Sequence, residues 1–304
     1  YRDPMKKIKL IDGGIGTELR FRGVNVPSHS HSIWSAQALI DNPEEVENIH
    51  YDYIKAGSDC ITINNYSLTQ PILQRAKIQN DLKELTMKSI ELAKKAVNRS
   101  KKDIKIMGSL PPLETSYRPD LILSTDEMSF KYKEIANILN NKVDIILCET
   151  MSSGLEAKCA LEAALKTGLQ VWLSWTLHGN RPNHLPSGET LEEAFDKLNS
   201  TYPDAFLVNC AGANFVGQAV KTLSNLTDKP IGGYANSENI ISTSEVAQKD
   251  HKAEELQQSS SISLTEEEYT KEVSQWINSG ATIVGGCCRT KPSYIKELSA
   301  NLKT

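Results

Sequence analysis

Short runs of apolar residues alternate along this chain with longer stretches in which apolar positions recur every three to four residues. The first pattern suits strands buried on both faces of a parallel sheet, and the second suits amphipathic helices laid over that sheet. Eight strands are predicted, at residues 9–12, 60–64, 104–108, 143–149, 170–177, 205–210, 230–235 and 281–287. Helix starts stand between them. Ser124 with Glu127, Ser153 with Glu156, Thr190 with Glu193 and Thr265 with Glu268 keep the capping-box spacing, in which hydroxyl and carboxylate satisfy orphan backbone amides reciprocally. Ahead of the second strand, Val46, Ile49, Tyr53 and Ile54 share one helical face between a Pro43 start and a Gly57 stop. After that strand one long helix is expected over residues 70–98.

Eight such units in a chain of 304 residues fit an α/β fold of the (β/α)8 TIM-barrel kind, a single domain over residues 5–304, better than an open doubly wound sheet. The turn Asp12-Gly13-Gly14-Ile15-Gly16-Thr17 does not read as GxGxxG, and no GxxxxGK[ST] motif is present. Residues 1–4 precede the first methionine, Met5, and are left outside the domain. The polar, Ser/Gln/Lys-rich segment 238–263 reads as a long surface loop.

Composition narrows the class. With 39% hydrophobic and 24% charged residues the chain can bury a sizeable core, which argues against intrinsic disorder. A net charge of −4 without a long basic block argues against nucleic-acid or membrane-surface binding. No apolar run approaches the ~18 residues of a membrane span and the N-terminus is charged, so a cytoplasmic location is expected. Six cysteines are too sparse for a disulfide scaffold in a chain of this length. Cys287 and Cys288 are adjacent, whereas a disulfide wants Cα atoms roughly 5.5 Å apart.

In a barrel the chemistry gathers where strands end. The predicted tips are Asp12, Asn64, Gly108-Ser109, Glu149-Thr150, His178, Asn209-Cys210, Asn236 and Cys287-Cys288. None carries a lysine, which argues against a Schiff-base aldolase. His29 and His31 form an HxH too far into a loop for a barrel metallohydrolase and read as solvated; His178 reads as a polar loop residue. Cys60, Cys148 and Cys159 read as small buried hydrophobes. Cys210, Cys287 and Cys288 come from two strand ends on one face, and three thiolates with an open fourth position suit a catalytic zinc at Zn–S distances of about 2.3 Å.

The run Ile283-Val284-Gly285-Gly286-Cys287-Cys288-Arg289-Thr290, the Asn209-Cys210 pair, the opening Asp12-Gly13-Gly14 through Gly16-Thr17, and Glu149-Thr150 together resemble the homocysteine S-methyltransferase family over nearly the whole chain. The resemblance implies that Cys210, Cys287 and Cys288 bind Zn2+ with the homocysteine sulfur as fourth ligand. It also implies that Asp12 and Glu149 hold the substrate ammonium, and that backbone amides around Gly13-Gly14 and Thr150 receive its carboxylate. The GGCCRT run looks like the branch using S-methylmethionine or S-adenosylmethionine, with methionine as product. The expected partners are then two small molecules, homocysteine and a methyl donor; monomer or homo-oligomer stays open. Two loops depart from the family pattern, Tyr234-Ala235-Asn236-Ser237-Glu238-Asn239 and the stretch from Gly108-Ser109-Leu110-Pro111-Pro112 to Ser116-Tyr117-Arg118-Pro119-Asp120, and both are expected to border the donor site. The competing readings are a non-catalytic, redox-responsive zinc or thiol-binding barrel, and a metal-free hydrolase using Asp12 and Glu149 as an acid/base pair.

Overall fold

The computed structural model describes residues 7–29, 32–241 and 260–302. Residues 1–4, His31 and most of the predicted loop therefore lie outside the described residues. Eight parallel strands form one sheet: β1 (Lys9–Leu10), β2 (Cys60–Thr62), β3 (Lys105–Leu110), β4 (Ile145–Met151), β5 (Gln170–Thr176), β6 (Ala205–Gly212), β7 (Ile231–Asn236) and β10 (Ile283–Gly286), in the order β1-β10-β7-β6-β5-β4-β3-β2. The remaining seam, between β1 and β2, is joined by a parallel bridge from Ile11 to Cys60, and the sheet closes into a (β/α)8 barrel.

Alternation along the strands sorts side chains into two layers. On β4, Ile145 and Leu147 turn into the barrel with Trp172 of β5 and Leu207 of β6, while Ile146 and Cys148 turn outward against the helices. Cys148 and Cys159 lie in the outer layer and Cys60 in the barrel interior, so all three are packing residues. Three strands begin behind an aspartate that bonds across the rim: Asp59 accepts from Leu10 N at 2.9 Å, Asp144 from Ile106 N at 2.8 Å and Asp204 from Val171 N at 2.8 Å. Each tie joins an odd-numbered strand to the even-numbered strand that follows it.

The helix before β2 runs Pro43–Ala56 and stops at Gly57, whose φ of 118° is open to a residue without a side chain. Val46, Ile49, Tyr53 and Ile54 are fully buried on its inner face. Three of the four capping boxes form as predicted, at Ser124, Thr190 and Thr265. At Ser153 the hydroxyl accepts from Glu156 N, but the Glu156 carboxylate turns to Ser152 N and Oγ, both at 2.9 Å. The single helix expected over residues 70–98 is two helices, Gln70–Arg75 and Leu82–Ser100. Asp81 is the reason: its carboxylate accepts from Glu84 N at 2.6 Å and starts a new helix after Lys77 has left the helical region at φ 55°. The two ends of the predicted surface loop pair with each other as a two-stranded antiparallel ribbon, β8 (Glu238–Ile240) with β9 (Ser261–Ser263). Among the described residues no helix is long and apolar enough to cross a membrane.

Candidate active site

Two barrel strands carry a register shift at the tip, and both shifts fall on predicted site residues. On β4 the shift lies between Cys148 and Met151, with Thr150 at φ 60°; on β6 it lies between Asn209 and Gly212, with Cys210 at φ 56°. A bulge of this kind re-aims a side chain, and positive φ at a residue bearing Cβ costs energy that the surroundings must supply. Asn209 supplies part of it. Its Oδ1 accepts from Thr150 N at 3.0 Å and from Ser174 Oγ at 2.7 Å, and its Nδ2 donates to Thr150 Oγ1 at 2.8 Å. The two strained tips are thus latched to each other. The Thr150 amide, expected to face a substrate carboxylate, is donated to Asn209.

The β10 loop brings the other two thiols. Cys287 N donates to Ala235 O at 2.8 Å and Cys288 N to Asn236 Oδ1 at 3.2 Å, so the end of β7 sets both cysteine positions. The turn after β1 lies against this loop at glycine distance: a Cβ on Gly14 would stand 2.5 Å from Cys287 O, and one on Gly13 2.6 Å from Thr290 O. Tyr53 of the helix before β2 fixes the same junction by donating to Thr290 O at 2.8 Å. Arg289 N donates to Thr17 Oγ1 at 2.9 Å.

Cys210, Cys287 and Cys288 present sulfurs that all lie within 4.8 Å of one another, the one group of metal-ligating side chains of this density among the described residues. A tetrahedral zinc with Zn–S distances of about 2.3 Å separates its sulfur ligands by about 3.8 Å. The Cys210 and Cys288 sulfurs are 3.8 Å apart. The donor set, three thiols with one pair already at the tetrahedral spacing, fits a thiophilic divalent cation. With no cation between them the three sulfurs cannot all be anionic. Cys288 is held well below the usual thiol value by hydrogen bonds from Cys210 and Cys287, with Arg289 and His29 adding positive field. Cys287 is pushed well up by its hydrogen bonds with Cys210 and Cys288 and by burial.

The two carboxylates stand buried beside the thiols on a cavity of 770 Å³ that Asp12, Glu149 and all three cysteines line. Asp12 accepts from Thr62 N at 2.7 Å and Thr62 Oγ1 at 3.2 Å, yet burial raises its pKa to about 8. Glu149 accepts from Ser109 Oγ at 2.6 Å and from Tyr234 OH at 2.9 Å; burial raises it too, against those two hydrogen bonds. Burial works against the charged form of both carboxyl groups, and an incoming ammonium would favour that form and be bound by it.

His29 is half-buried on the cavity wall, edge-on to Trp34 at 5.9 Å between ring centroids, rather than solvated. His178 is buried in that wall and accepts from Asn180 N through Nδ1 at 3.1 Å. Both loops that depart from the family pattern reach the cavity, through Ser116 and Tyr117 on one side and Asn236 and Glu238 on the other. The sequence gives no direct sign of Asn209 as a latch, of Tyr234 as a partner of Glu149, or of Tyr117, whose hydroxyl lies 2.8 Å from Cys210 Sγ.

Comparison with known proteins agrees with this geometry. The family model described as homocysteine S-methyltransferase matches residues 9–302. A homocysteine S-methyltransferase of Escherichia coli is 31% identical over 96% of this chain and 94% of its own length, and homocysteine S-methyltransferase 1 of Arabidopsis thaliana is 29% identical over 97% and 93%. The solved structure of the E. coli homocysteine methyltransferase MmuM in its metallated form superposes with a TM-score of 0.77 at 26% identity, covering 98% of this chain and 97% of that one. Strand tips, cavity and family match converge, and the chain belongs to the homocysteine S-methyltransferase family, enzymes that methylate a thiol.

Proposed function

We propose that this protein transfers a methyl group from a sulfonium donor, S-methylmethionine or S-adenosylmethionine, to the thiol of L-homocysteine, forming methionine, with zinc held by Cys210, Cys287 and Cys288. The observation that carries this reading is the placement of three mutually adjacent thiols beside two buried carboxylates on one cavity. Bound zinc would supply deprotonation of the substrate thiol at neutral pH, where a free thiol of pKa near ~8.5 is mostly protonated.

The chain's own residues do the rest. Asp12 and Glu149 take the ammonium end of homocysteine, and its carboxylate lies at the Gly13-Gly14 turn, where the Gly14 amide is already donated to Thr290 O at 3.3 Å. Thr150 contributes through the shape of its tip, since its amide is engaged by Asn209. Held at both ends, the substrate extends its sulfur toward the cysteine cluster. The donor loops around Tyr117 and Asn236 then align the methyl carbon between the two sulfurs, and alignment is where most of the acceleration of an in-line displacement arises. The sulfonium loses its positive charge as the methyl moves, so no protein base acts in the transfer itself.

The test is a methyl-transfer assay with homocysteine against S-methylmethionine, S-adenosylmethionine and betaine, run beside metal analysis of protein prepared under reducing conditions. Turnover with a sulfonium donor and about one zinc per chain is expected. Binding of homocysteine without turnover of any donor would favour the non-catalytic barrel.

A further inference from the structure

The loop after β3 is tied down by side chains at three successive places. Thr69 Oγ1 donates to Leu113 O at 2.6 Å, Arg75 grips Glu114 through its carboxylate and its carbonyl, both at 2.7 Å, and Tyr66 OH pairs with Ser116 Oγ at 2.6 Å. Every one of these ties comes from the segment that follows β2. What they deliver is Tyr117, held at φ 61°, a conformation a bulky side chain adopts only when its surroundings impose it. From there Tyr117 lines the cavity and reaches the tip of β6, where its hydroxyl lies 2.8 Å from Cys210 Sγ and 2.8 Å from Cys210 O. The carbonyl has a second donor in Thr176 Oγ1 at 3.3 Å, so the single phenolic proton can be committed to the sulfur. Cys210 is also the lone member of the cysteine trio outside the β10 loop, and its own φ is positive.

We infer that Tyr117 is a positioning residue of the metal centre: its hydroxyl, donated to Cys210 Sγ, fixes that sulfur in its ligand position and draws electron density from it. The inference rests on the three-cysteine metal reading above. A ligand anion that accepts a hydrogen bond is held in place and carries less charge onto the metal, and removing an outer partner of this kind lowers metal affinity about ten- to a hundredfold.

The test uses Co2+ as a spectroscopic probe on the full chain. Wild-type protein titrated with Co2+ should develop intense sulfur-to-cobalt charge-transfer absorption. Tyr117→Phe keeps the ring and removes the proton; its charge-transfer band should move to longer wavelength and its Co2+ affinity should fall about ten- to a hundredfold. 3-Fluorotyrosine at position 117, a stronger donor, should move the band the other way, and this second replacement keeps the test sharp if the phenylalanine variant folds poorly. Ser116→Ala, which slackens the loop but keeps the phenol, should give a smaller loss of affinity. A wild-type band with the same position and affinity in Tyr117→Phe and in the fluorotyrosine protein would overturn the role of Tyr117 alone. No charge-transfer absorption in the wild type would overturn the three-cysteine metal reading and this role with it.

Discussion

Asp12 loses its proton near pH 3.8 as an ordinary carboxyl and near pH 8 where burial places it. Between those values the unfolded chain is deprotonated at this position and the folded chain is not, so Asp12 makes the ligand-free fold less stable as pH rises, by up to about 1.4 kcal/mol per unit, and the loss ends above its folded pKa. Asp12→Asn should remove that slope, visible as a smaller difference between urea midpoints at pH 5.5 and pH 7.5 than in the wild type. The same variant should raise the homocysteine KM by about ten- to a hundredfold, the value of one hydrogen bond to a charged group; an unchanged KM would take Asp12 out of the ammonium site. At this scale the sequence reveals what sits at a strand tip and hides what crosses the barrel. Cys210, Cys287 and Cys288 can be picked out because a parallel strand announces where it ends. Tyr117 cannot, because its partner lies 93 residues away and the contact depends on loop geometry. Nor can the loss of the Thr150 amide to Asn209, which follows from two bulges facing each other.

Elements were legible where their burial was one-sided or complete. Strands buried on both faces leave unbroken apolar runs, and so all eight can be located, although β1 and β10 are shorter than the runs that mark them. The division of residues 70–98 into two helices escaped the periodicity because Asp81 works through a hydrogen bond to a backbone amide and not through the apolar pattern. The rim aspartates are a further case. Asp59, Asp144 and Asp204 look like ordinary loop residues in sequence, yet each takes an amide of the neighbouring strand. Asp144→Ala should cost about 1–2 kcal/mol, the cost of an amide left without its acceptor, read as a lowered urea midpoint with an unchanged m-value. An unmoved midpoint would mean that the Ile106 amide is equally well served by water.

For the molecule as a whole, the cysteine cluster links metal loading to acidity. Cys287 and Cys210 are both held above the ordinary thiol value and so keep their protons at pH 7, and a cation bound by all three thiolates should expel at least those two. Calorimetric titration of Zn2+ in two buffers of different ionisation enthalpy measures that number directly, and a release near zero would mean the thiols stay protonated and do not bind as a set. The junction of the Gly13-Gly14 turn with the Cys287 and Thr290 carbonyls has a consequence in time as well as in space. One side of it follows the first barrel strand and the other follows the eighth, so all six intervening strands are made between them, Cys287 and Cys288 being the last two of the six cysteines. A nascent chain on the ribosome can complete seven units and still have no place to put a metal. On the proposed three-cysteine site, the centre comes into being only when the eighth strand docks on the first, so metal uptake would report that the ring has closed.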